Sequence, residues 1–140
     1  MTRPLSSPPL QLGDADLVAL FKALTAVGGK LDRLDVGNNA MTEKGAAVLA
    51  RLMREGSLRP IVLVLSGNVI KDKGVAAVAL ALASNPAVGP EKLDVGNTGM
   101  REGGTEALGQ MLEKVPGIQV REWPGKMPLL ASMSESRRMH

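Results

Sequence analysis

The sequence predicts an α/β protein built from about four strand–helix units stacked side by side, and three observations predict it. The word LDVGN stands at Leu34–Asn38 and again, letter for letter, at Leu93–Asn97. A blurred third copy, LVLSGN at Leu63–Asn68, lies midway between them. Each copy is followed by a segment of helical spacing that opens on a glycine, at Gly45, Gly74 and Gly104.

Three units align on the shared word. The first is marked by Leu31, Leu34, Val36, Asn39, Met41, Gly45, Leu49 and Leu52. The second has Leu63, Leu65, Asn68, Ile70, Gly74, Val78 and Leu82, and the third has Leu93, Val95, Thr98, Met100, Gly104, Leu108 and Leu112. The leading leucines are 29 and then 30 residues apart, and the glycines keep the same steps. A fixed period in this range marks a repeat architecture whose units bury their apolar faces only by stacking.

Leu34 and Val36 have the two-residue period of a strand. Val48, Leu49, Leu52 and Met53 have helical spacing after Gly45. The opening glycines suggest a close approach of helix and strand backbones. Asn39 and Asn68 follow their strands, placed to hydrogen-bond loop backbone that would otherwise be buried unpaired; Thr98 is a weaker substitute. Units of this order stack with parallel strands and adjacent helices. Before them, DADLVALFKALTAV reads as one more helix with Asp14 as its N-cap. After them, Ile118 and Val120 read as a last short strand. Strands are expected near 34–36, 63–65, 93–95 and 118–120, and helices near 14–28, 43–55, 73–84 and 102–114. The array spans 13–120, between tails at 1–12 and 121–140.

The pattern LxxLxLxxN, a helix opened by glycine and a step near 29 residues resembles the leucine-rich repeats of the ribonuclease-inhibitor type. The resemblance covers Leu31 to Leu112 and, more loosely, Leu10 to Val120. It implies a curved solenoid with the parallel sheet on the concave side and the helices on the convex side. It also implies a protein that binds other proteins. The chain departs from the pattern in its few units, in Pro60 at a leucine column and in Thr98 at an asparagine column.

Composition narrows the function. Seventeen basic residues face 14 acidic ones, with a single Phe, a single Trp and no Tyr. There is neither a dense basic stripe nor a set of stacking aromatics, so nucleic acid is not an expected partner. With no Cys, disulfides and thiolate-held zinc are ruled out, which suits an intracellular protein. No run of 18 apolar residues exists, so no membrane insertion is expected. The lone histidine, His140, ends the chain, and no serine has a histidine partner in range. GNNAMTEKG and VGG are glycine-rich, but neither has Lys and Ser/Thr at the offsets of a phosphate-binding loop. Asp35 and Asp94 would stand two strand spacings apart, roughly 9–10 Å, too far to share one metal ion. No catalytic residue, cofactor or metal is therefore assigned. The expected location is cytoplasmic. Import into an organelle is the alternative, from Arg3, two serines and no acid before Asp14 in an opening stretch without a signal's apolar run.

The expected site lies on the concave face. One row holds Arg33, Val62 and Lys92; the next holds Asp35, Val64 and Asp94; a third, of Gly37, Ser66 and Gly96, is small. The middle strand, IVLVL, is apolar on both faces, which normally means both are covered. Val62 and Val64 with a charged rim have the anatomy of a protein interface. The chain's own C-terminal stretch, WPGKMPLLASM, is the alternative cover. Because its column accepts Asp on both sides, Val64→Asp is expected to spare the fold. On the helices, Leu80 stands where the other units have Arg51 and Gln110, with Ala76, Ala79 and Ala83 around it; a plain packing role for that alanine-rich helix competes with binding. The expected function is a non-enzymatic interaction module for another protein, and the alternative is a structural subunit anchored in a large assembly by its tails.

Overall fold

A computed structural model describes residues 11–86 and 89–121. Four helices and four strands alternate along the chain: α1 (Asp14–Ala26), β1 (Lys30–Asp35), α2 (Glu43–Arg54), β2 (Arg59–Val64), α3 (Lys71–Ser84), β3 (Lys92–Asp94), α4 (Glu102–Lys114) and β4 (Gln119–Arg121). The strands form one parallel sheet in the order β1-β2-β3-β4, so each unit lies beside its sequence neighbour. The register follows the repeat: Leu34 pairs with Leu63, Leu63 with Leu93 and Leu93 with Val120. The expected tails lie almost wholly outside the described residues.

The core forms where the leading columns meet the helices. Leu34, Leu63 and Leu93 face Leu49, Val78 and Leu108 within one cluster that also takes in Leu17 and Phe21 of α1. Leu49 and Leu63 are fully buried. The helix bounds and the last two strands hold to within two residues, with one shift of register, whereas β1 and β2 begin four residues before the expected 34 and 63, at Lys30 and Arg59. In the last strand Val120, not Ile118, takes the leading position. The column filled by Leu82 and Leu112 is occupied in the first unit by Met53, which is more deeply buried than Leu52.

The helix-opening glycines serve a different purpose from the one expected. A Cβ at Gly45, Gly74 or Gly104 would come within 3.0 Å of a side chain, not of strand backbone. The obstructing groups are Met41, Ile70 and Met100, each four residues earlier, joined at Gly45 by Asp14 Oδ1 at 2.5 Å and at Gly104 by Asp72 Oδ1 at 3.0 Å. Glycine makes room for the apolar residue that seals the strand–helix loop.

The loops themselves are tied across units. The buried Asn68 amide donates to the carbonyls of Val36 and Leu65, both at 2.9 Å, and its Oδ1 accepts from Met41 N–H at 3.0 Å. Asn39 likewise accepts from Leu12 N–H and donates to Val36 and Gly37. Thr98 has only its hydroxyl, which donates to Val95.

A second tie involves acids. Asp14 is the first residue of α1, whose N-cap is Gly13, and its carboxylate caps not its own helix but the next. Thr42 N–H and Gly45 N–H donate to Oδ1 at 2.8 and 3.2 Å, and the Thr42 hydroxyl donates to Oδ2. Asp72 repeats this for α4, accepting from Arg101 N–H at 2.6 Å and Gly104 N–H at 2.8 Å. Partial burial alone would raise the Asp14 pKa. The donations from Thr42 and Gly45, with Lys44 nearby, outweigh it and hold the carboxyl below its ordinary value.

Two outcomes follow. Leu49→Ala or Leu63→Ala costs about 2–5 kcal/mol, seen as a large fall in melting temperature; a shift of only a degree or two would contradict the column assignment. Asp14→Asn costs about 1 kcal/mol at neutral pH, as for loss of a helix cap. Because the native pKa is depressed, this stabilisation is complete above the unfolded-state pKa and disappears as the pH falls through the native value. Melting curves of wild type and variant therefore converge in acid, and a gap that persists there would exclude the carboxylate charge as its source.

Candidate functional site

The face of the sheet turned away from the helices holds the residues that the sequence singles out, Leu80 excepted; the C-terminal stretch expected as an alternative cover lies outside the described residues. Arg33 pairs in register with Val62 and Val62 with Lys92; Asp35 pairs with Val64 and Val64 with Asp94. The fourth strand extends both rows, with Gln119 beside Lys92 and Arg121 beside Asp94. β4 shares no motif with the other strands, so nothing in the repeat marks these two residues.

The members of the rows differ in what they offer. Arg33 and Asp35 form an exposed ion pair at 3.2 Å, with side chains 59% and 49% accessible. Lys92, Gln119 and Arg121 are exposed, and Asp94 is half-buried. Val62 is half-buried, whereas Val64 is only 8% exposed. Of the two valines expected at the centre, Val62 is the one with surface left to give. Leu80 is 63% exposed, but it lies on α3, apart from the sheet residues.

The repeated word has a conformational explanation. Asp35 Oδ1 accepts from Gly37 N–H at 3.0 Å, and Asp94 Oδ1 accepts from Gly96 N–H at 3.1 Å, so each acid closes the turn after its strand. Asn38 and Asn97 adopt φ of +57° and +53°, and Gly67 takes the same place in the second unit at +76°. Asn and Gly enter that left-handed region at least cost. LDVGN thus encodes a strand followed by a fixed turn. One oxygen of each acid is already engaged, and the outer Oδ2 of Asp35 is held by Arg33.

Among the described residues, no cluster of three or more His, Cys, Asp or Glu is placed to hold a metal ion. Asp35 and Asp94 are separated by the whole of β2. No helix among them is long and apolar enough to cross a membrane. No protein-family model matches the sequence, and no curated protein matches it.

The register changes one expectation. Val64→Asp would set a third carboxylate, at a nearly buried position, directly between Asp35 and Asp94. Like charges directly opposite on neighbouring strands are destabilising, and burying a polar group adds to the cost. Val62→Asp instead falls between two cations, Arg33 and Lys92. We expect Val64→Asp to cost about 1–3 kcal/mol and Val62→Asp to stay within about 0.5 kcal/mol of wild type. Denaturant titration of the two variants decides this; equal losses would contradict the assignment of their neighbours.

Proposed function

We propose that this chain is a non-enzymatic protein-binding element of the leucine-rich-repeat kind, and that its partner lies across the open face of the sheet. The carrying observation is the alignment of Arg33, Val62 and Lys92 on adjacent strands, an apolar side chain with accessible surface flanked by two cations. The exposed Arg121 and Gln119 widen the polar margin on one side, and the Arg33–Asp35 pair forms it on the other. An apolar centre inside a polar rim is the usual composition of a protein interface. The basic character of the Val62 row suits a partner segment that presents a carboxylate beside an apolar side chain. Within this reading the sheet is the concave surface of a short solenoid, and the rows run across its width.

Val62→Asp tests the reading because it changes the face without burdening the fold. Affinity recovery from the native source is compared for wild type, Val62→Asp and Lys92→Glu, with melting temperatures measured in parallel. The expected outcome is a partner recovered by wild type and reduced about tenfold or more by either variant at unchanged stability, the scale of losing an interface anchor. Equal recovery by all three proteins would remove the sheet face as the binding surface.

A further inference from the structure

The helix layer presents a second surface, opposite in character to the sheet. α3 packs between α2 and α4, and the repeat gives the three helices matching outward stripes. On α2 the stripe carries the exposed Arg51 and Arg54; on α4 it carries the exposed Glu106 and Glu113. Between them α3 presents the half-buried Ala76 and then Leu80, which is 63% exposed. The hydroxyl of Ser84 at the end of this stripe is turned back onto its own helix, donating to the Leu80 carbonyl at 2.8 Å. The layer therefore reads basic, apolar, acidic from one side to the other.

We infer that this face binds a second copy of the same chain, in a two-fold dimer whose axis runs along α3. A rotation about that axis lays α3 on α3, so that Leu80 meets its own copy, and crosses α2 of each chain over α4 of the other. Arg54 then stands level with Glu113 of the second copy, because the two residues occupy equivalent places in their repeats. Their neighbours Glu55 and Lys114 oppose each other in the same way. A two-fold axis running across the helices at the level of Leu80 would instead set α2 antiparallel on α2, with Arg51 against its own copy and Arg54 opposite no acid, so the charge pattern selects the first arrangement. A self-complementary patch is what a two-fold interface requires.

The size suits a reversible dimer. Helices of 12–14 residues are about 20 Å long, and three abreast at about 10 Å spacing offer roughly 600 Å² per copy, somewhat below the usual ~800 Å². Like-charge meetings remain only at the N-terminal margin of the patch, Lys73 with its own copy and Glu43 with Glu102 of the second copy.

Sedimentation equilibrium of the full chain, from micromolar to submillimolar concentration at low salt, tests the inference. The expected result is a monomer–dimer equilibrium that weakens as salt is added, since the rim pairs are exposed. Leu80→Glu abolishes the dimer while the circular dichroism and melting temperature stay those of wild type. Arg54→Glu raises the dissociation constant about tenfold or more, and combining it with Glu113→Arg restores it. A chain that stays monomeric throughout overturns the inference, as does a dimer that survives Leu80→Glu. A double variant no better than Arg54→Glu alone overturns the parallel arrangement.

Discussion

The buried side chain of Asn68 holds the units in register. Its three hydrogen bonds reach the loops of two successive units, satisfying Met41 N–H and the carbonyls of Val36 and Leu65. An array of strands and helices must return its chain through the interior edge of every unit, and backbone left there without partners costs about as much as a lost hydrogen bond each. One carboxamide, with both donor and acceptor, meets that need on two sides at once. With these ties, no buried side-chain nitrogen or oxygen among the described residues is left without a partner.

The ties alternate along the stack. Asp14 clamps α2 from α1, and Asp72 clamps α4 from α3. The matching acids of the other units are Glu43 and Glu102, one methylene longer, and no hydrogen bond joins Glu43 to α3. That boundary relies instead on the Asn68 tie and on close packing, since a Cβ at Gly74 would approach Ala46 to 3.2 Å. The units are thus alike in pairs, and the word LDVGN likewise skips the middle copy. Its Asp is replaced by Val64, and its turn is carried by Gly67.

The alternation shapes both surfaces. On the sheet, the unit without the turn-closing acid places valines where its neighbours place charge. On the helices, the same unit places Ala76 and Leu80 between a basic stripe and an acidic one. The two faces are separated by the whole core, so a ligand on one leaves the other free. The second unit is the apolar centre of each.

Much of this was legible in the residues alone. The repeat step determined the number of units, the parallel order and the leading columns, because a strand–helix unit with one apolar stripe has few ways to bury it except against its own copy. The register of Arg33, Val62 and Lys92 followed from the same spacing. Tertiary structure decided what those positions are worth. The letters could not tell Val64, nearly buried, from Val62, which keeps accessible surface. They made Asp14 a cap for its own helix, whereas folding turns its carboxylate onto the next, since the partner amides lie 28 and 31 residues away. They put backbone where Met41, Ile70 and Met100 press against glycine. Periodicity reports which side of an element faces inward. Which atom meets which depends on distances across units that only the packed stack determines.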